Sequence, residues 1–324
     1  MKRILLLLSL ILGIVAGPAA SAEESKTPRI AFLLMGTSQA GLTAAFDEFR
    51  EGLRELGWIE NQNVVIEYRW AGENPDRLPE LAADLVRVKV DIIIGSTPGV
   101  RAAQQATRSI PIIMCIADDA VKQGFVTNLA RPGGNITGMA AMALELAAKR
   151  MELLHEAIPR LSRVALLWNP PGSAPDYLKD TQLAARSLGM TIQSVEVRKA
   201  DDFEGAFAAV LKGRAQALVV GPGQFMFTYQ KKIVEFATKN ALPSIYVWKD
   251  PVSAGGLLAY GVDIPRAYRR AAYYVDKILK GAKAGDLPIE QPTKYDFVVN
   301  LKTAKALGVT IPESILLRAD EVIR

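Results

Sequence analysis

Half of the 324 residues are hydrophobic, and the length is enough for two domains with sizeable cores. The formal charge of +5 falls to +3 once Lys2 and Arg3 are set aside, and the other basic residues are interspersed with Asp and Glu. That excludes the concentrated basic patch of a nucleic-acid or membrane surface. The single cysteine, Cys115, excludes an internal disulfide and reads as a core residue at the end of IIMCIA.

Lys2 and Arg3 precede an apolar run from Ile4 to Val15, and Ala20-Ser21-Ala22 is an A-x-A cleavage site. Residues 1–22 are therefore expected to be a secretory signal peptide, its apolar run from Ile4 to Val15 being shorter than the roughly 20 residues of a membrane span. The expected product is a soluble, exported, periplasmic protein starting near Glu23.

Alternating strands and helices follow. IAFLLMG reads as a strand, and 40–56 as a helix with a stripe of Leu42, Phe46, Phe49, Leu53 and Leu56, stopped by Gly57. Strand NVVIEYRW, helix PDRLPELAADLVRV and strand DIIIG come next. Gly95-Ser96-Thr97-Pro98-Gly99 then opens the helix VRAAQQATR, with Pro98 suited to the first turn and Ser96 or Thr97 to the cap. Strand PIIMCI and the loop-rich GFVTNLARPGGNITGM lead to a helix over 144–158.

The pattern then recurs: strand VALLW, helix 176–188 stopped by Gly189, and strand TIQSVEV. Helix 203–211 follows, with Asp201 and Glu204 as a capping-box variant, then strand ALVV, helix 227–240 and strand PSIYVW. Gly57 and Gly189 stand 132 residues apart, as do Pro111 and Pro243, and Gly95 and Gly221 stand 126 apart. Two similar lobes are expected. The remaining GGLLAYGVD, helix 264–280, strand YDFVVN and helix LKTAKAL are too few for a domain and must return to those lobes, making a hinge of several crossings.

In open α/β folds, ligands bind beyond the carboxyl ends of the strands, where helix N-termini offer free N–H groups. The candidate ligand-binding residues sit at such tips. Gly36, Thr37 and Ser38 follow the first strand, and Ser96 and Thr97 the third; these hydroxyls and amides suit a carboxylate without an arginine. Asp119 is the candidate acceptor for an ammonium group, with Asp118 as its alternative. Trp168, Asn169 and Pro170 end one strand of the second half. Trp248 ends another, Tyr260 sits at a crossing, and Gln224 and Phe225 follow GPG. Aromatic side chains at a crevice mouth give large contact at low entropy cost. GPG is no phosphate loop, since neither G-x-G-x-x-G nor a Walker sequence follows. His155 reads as a plain helix residue, and Tyr268, Tyr273 and Tyr274 as packing residues. No catalytic residue, metal site or cofactor is expected.

The run AGGLLAYGVDIPRAYRRAAYYVDKILKGAKAGDLPIEQPTKYDFVVNLKTAKALGVTIPESILLRADEVI resembles the C-terminal signature of the ABC-transporter substrate-binding family that includes tryptophan-binding members. LARPGGNITG is similar to its central signature, and VALLWNP and ALPSIYVWKD fit as well. The resemblance implies an α/β, type I periplasmic-binding-protein fold: two similar doubly wound lobes with parallel central sheets and a multi-strand hinge. On that reading lobe 1 is 28–142 plus about 262–290, and lobe 2 is 143–261 plus about 291–324. It implies a protein that closes on a small solute and delivers it to an inner-membrane ABC permease; the aromatics, helix-start hydroxyls and carboxylates suit an aromatic amino acid or aromatic carboxylate, and a monomer is expected. Presentation of the ligand to a membrane sensor is the alternative, and an exported enzyme on the same scaffold is disfavoured. One departure is visible: the family's Asp-Pro before LARPGGN is replaced by Asp119-Ala120.

Overall fold

The computed structural model describes residues 27–36, 42–140, 143–170 and 174–324. The leader expected at 1–22 lies outside these residues, as do Thr37 and Ser38.

The first half builds β1 (Arg29–Leu34), α1 (Thr43–Glu55), β2 (Val65–Trp70), α2 (Leu78–Arg87), β3 (Ile92–Gly95), α3 (Thr97–Ala106), β4 (Ile112–Ala117) and β5 (Ile136–Ala140). The second builds α4 (Ala143–Ala157), β6 (Arg163–Trp168), α5 (Ala174–Ser187), β7 (Thr191–Glu196), α6 (Asp202–Lys212), β8 (Ala217–Val220), α7 (Gln224–Thr228), α8 (Gln230–Lys239), β9 (Ser244–Tyr246), α9 (Asp250–Ser253) and β10 (Leu258–Gly261). The tail adds α10 (Ile264–Leu279), β11 (Asp296–Asn300), α11 (Leu301–Ala306), α12 (Glu313–Leu316) and β12 (Glu321–Ile323).

Among the described residues the strands form a five-stranded sheet, β2-β1-β3-β4-β5, and a seven-stranded sheet, β12-β11-β10-β9-β8-β6-β7. Counted from the first strand of each half, both sheets run 2-1-3-4-5, a doubly wound order. The two expected lobes are therefore present. β11 and β12 extend the second sheet, and β10 with β11 is antiparallel. β5 and β12 were not read as strands from the sequence.

The repeat extends to local chemistry. At the end of α1, Trp58 N donates to the Leu53 carbonyl and Gly57 N to that of Arg54; after α5, Met190 N donates to Ala185 and Gly189 N to Arg186. Both are Schellman stops, and both glycines have the positive φ such a stop requires (90° and 72°).

Strand alternation divides each lobe into two apolar layers. In lobe 1, Ile30, Phe32 and Leu34 face α1 and α10, while Ala31 and Leu33 face the layer containing Leu85, Val100 and Ala103. In lobe 2, Val164, Leu166 and Trp168 face one layer, and Ala165 and Leu167 the other. The tail returns to both lobes: α10 packs on α1, and β11 joins the second sheet.

LARPGGNITG fastens the returning chain to lobe 1. Gly133 N donates to the Gly285 carbonyl, Ile289 N to that of Leu129, and Thr137 Oγ1 to that of Leu287. Gly138 (φ 119°) lets β5 approach β4 where their register shifts; an added Cβ would collide with the Met114 backbone.

Three local expectations are corrected. The span 227–240 is two helices, α7 and α8, breaking at Tyr229. Asp201 makes no capping bond; Asp202 accepts from Arg198 N and Lys199 N, gathering the turn before α6 instead. Ser96 precedes α3 but does not cap it with its side chain.

Candidate functional site

Between the lobes lies a cleft with an interior of about 170 Å³. A water needs about 10–15 Å³ on the same measure, so the space matches roughly a dozen waters, the bulk of an amino acid with a ring.

The lobe 1 wall is made by the tips of β3 and β4 and the start of α3. Ser96, Thr97, Pro98, Cys115, Ile116 and Asp118 line it. Gly99 brings α3 down onto β1, where an added Cβ would strike the Leu33 carbonyl. Ile116 has φ 56°, a left-handed conformation costly for a β-branched residue, at the β4–β5 register shift. Such strain concentrates where the surrounding structure enforces a functional shape. Two residues on, the Asp118 carboxylate accepts from Thr97 Oγ1 (2.7 Å), and Thr97 Oγ1 accepts from Asp118 N (2.8 Å). Thr97 is buried and Asp118 half-buried, so the hydroxyl fixes a carboxylate with acceptor capacity left over. Burial raises the Cys115 thiol and the Tyr268 phenol above their ordinary ranges, so both are neutral groups in the cleft wall.

The lobe 2 wall carries Arg150, Asn169, Gln224, Phe225, Phe227 and Trp248. Asn169 Nδ2 donates to the Val197 carbonyl at 2.7 Å, leaving its carbonyl oxygen free to turn inward. Trp248 meets Phe227 edge-to-face, ring centroids 5.0 Å apart. Phe227 belongs to α7 yet is buried in the lobe 1 core. Tyr229 hydrogen-bonds the Glu73 carboxylate across the cleft, and Lys122 pairs with Asp176 at 3.1 Å.

Of the residues singled out in the sequence, the cleft brings together Ser96, Thr97, Asn169, Gln224, Phe225 and Trp248. Gly36 stands beside it, bridged to Gly72 and in contact range of Gln224 and Thr228. Asp119 is corrected to an outward position: its Oδ1 accepts from Val121 N and Lys122 N, closing the turn after β4, and Asp118 takes the inward place. Trp168 and Tyr260 are corrected likewise. Trp168 is in the lobe 2 core with Nε1 donating to Ser194 Oγ, and the Tyr260 ring packs on Tyr295 and Phe297. Tyr268, read as packing, does pack in the lobe 1 core but also lines the cleft.

Arg150, which also lines the cleft, was not singled out in the sequence. Its signal in the sequence was an arginine on the otherwise apolar face of ELAAKRMELL, four residues after Leu146 and three before Leu153. His155 is half-buried on the same helix, away from the cleft. Among the described residues no group of three His, Cys, Asp or Glu stands close enough to hold a metal.

The family described as ABC transporter substrate binding protein matches residues 33–323. The chain belongs to that family. A tyrosine-binding protein from Clostridioides difficile is 27% identical over 307 residues, covering 90% of this substrate binding protein and 86% of the relative. A conserved domain protein from Vibrio cholerae has a crystal structure that superposes with a TM-score of 0.84 at 25% identity, covering 92% of this chain and all of that one. An ABC domain in complex with L-Trp from Streptococcus pneumonia gives 0.83 at 24% identity, again over 92% of this chain and 100% of its own. The fold is thus that of the type I periplasmic binding proteins. No helix among the described residues of this substrate binding protein is long and apolar enough to cross a membrane.

Proposed function

We propose that this protein is the periplasmic solute receptor of an ABC importer, and that its lobes close by hinge motion on an aromatic amino acid or related aromatic carboxylate. The observation that carries the reading is the cleft itself: an amino-acid-sized space with a carboxylate on one wall and aromatic rings on the other. The tyrosine-binding relative and the L-Trp complex support the same ligand class. Ser96, Thr97, Asp118, Asn169, Gln224 and Trp248 are the proposed contacts. The lobe boundaries near residues 142, 262 and 290 are proposed as the hinge, because the chain passes from one sheet to the other after β5, after β10 and before β11.

The test is a calorimetric titration of the exported chain, unfolded and refolded to strip carried-over solute, against aromatic and aliphatic amino acids and benzoates. Saturable one-to-one binding of aromatic amino acids, with a decrease in radius of gyration in solution scattering, is expected. Binding of aliphatic amino acids alone would overturn the ligand class, and ligand turnover would overturn the receptor role.

A further inference from the structure

Arg150 is 3% exposed, yet it lines the cleft. Its Nε donates to the Tyr260 carbonyl at 2.7 Å and its Nη1 to the Tyr177 hydroxyl at 3.2 Å. These are neutral partners, and no ion pair among the described residues includes Arg150. A guanidinium has five N–H donors, so three have no hydrogen-bond partner among the described residues. A buried cation without a counter-ion is strongly unfavourable, whereas one completed by a carboxylate makes paired, charge-assisted hydrogen bonds. Arg150 also stands 5.7 Å from the Tyr177 ring centroid, which favours its charge without supplying a counter-ion, so the two neutral bonds do not by themselves account for that charge. Those bonds instead fix the planar group and its direction. Gly261 keeps space beside the free end, since a Cβ there would stand 3.4 Å from Nη2 and collide with the Val247 carbonyl.

We infer that Arg150 is the anchor for the ligand's carboxylate, placing that group on lobe 2 and leaving Asp118 for a neighbouring ammonium group. This rests on the receptor reading and makes that site selective for acids over their amides. The acid must then engage lobe 2, while the Asp118 carboxylate on lobe 1 is the acceptor for an ammonium group.

The experiment titrates four acid–amide pairs into the stripped exported chain: L-tryptophan and its amide, L-tyrosine and its amide, L-leucine and its amide, and benzoate and benzamide. It is run on wild type, Arg150→Met and Arg150→Lys. In wild type the acid should bind about 100-fold or more tightly than its amide. Arg150→Met should abolish that ratio while weakening the amide little, and Arg150→Lys should retain part of it. Arg150→Met also removes the donors to the Tyr260 carbonyl and the Tyr177 hydroxyl, so its unfolding temperature without ligand is measured alongside to separate lost binding from lost folding. Equal binding of acids and amides, or an equal loss for both on substitution, overturns the assignment. Should Arg150→Met fail to fold, the wild-type ratio and Arg150→Lys still decide. If only the leucine pair responds, the aromatic reading falls while the acid-to-amide ratio still judges Arg150. A panel in which no acid binds overturns both.

Discussion

The two walls of the cleft are built on opposite plans. On lobe 1 the polar groups partner each other: Thr97 and Asp118 exchange hydrogen bonds, and the backbone is forced into place by Ile116 at φ 56° and by Gly99 and Gly138 at close approaches. On lobe 2 the side chains are left wanting among the described residues: a buried arginine with donors to spare, an amide with one bond to its nitrogen and an aromatic seam. A wall whose polar groups are already paired owes its shape to the fold, so damage there costs stability. A wall with unpaired groups is completed by what it binds, so damage there costs affinity.

Gly138→Ala attacks the first plan and should be the most severe. It combines a backbone collision with a positive φ, and a loss of about 3 kcal/mol in unfolding free energy is expected; a denaturant midpoint within error of wild type would show that the β4–β5 register is not enforced there. Phe227→Ala removes an aromatic side chain that lobe 2 buries in lobe 1. It should lower the unfolding free energy of the ligand-free chain by about 3 kcal/mol through the cavity it leaves, read as a shift in denaturant midpoint, and weaken ligand binding as well. Asp118→Ala tests whether the self-paired wall also serves the ligand: a loss of roughly 2 kcal/mol is expected for an amine-bearing solute, and almost none for a carboxylate lacking the amine.

Smaller effects sit at the rim. Glu73→Gln should cost about 1 kcal/mol or less of affinity, as an exposed cross-lobe bond. That contact also has a pH signature. Partial burial and the neighbouring Glu73 push the Tyr229 phenol up to about 12, against an ordinary 10. The bond therefore contributes fully below pH 10 and is lost as the pH rises through 12; an affinity that falls equally for Tyr229→Phe over that interval would exclude it as the cause. Asp119→Asn, outside the cleft, should change affinity by less than about 0.5 kcal/mol.

Much of the fold was legible because lobe order is written in features that act locally. Apolar runs of strand length, glycine stops at 57 and 189, and a proline at the start of α3 each specify their own element. β12 escaped because EVI is three residues long and is a strand only through its pairing with β11. The site was harder to read. Ser96, Thr97, Asn169, Gln224 and Trp248 were reachable from strand tips, but Asp118 and Asp119 are neighbours, and only the positive φ at Ile116 and the turn after β4 decide which points inward. Arg150 comes from a helix that enters the cleft sideways, so no rule about strand ends could find it. Trp168 and Tyr260 have the same residue types as true mouth aromatics; their burial depends on layers contributed by distant segments.

Cys115 is the one thiol in the chain, and it sits in the cleft wall, 4% exposed, with burial suppressing its ionisation. Parting of the lobes would hydrate it and return it toward ordinary reactivity. If the lobes part as proposed, the rate at which an alkylating reagent consumes that thiol would be a built-in clock for opening, readable by mass spectrometry on the unlabelled, unmutated protein. A captured solute would slow the clock in proportion to the time the lobes spend together.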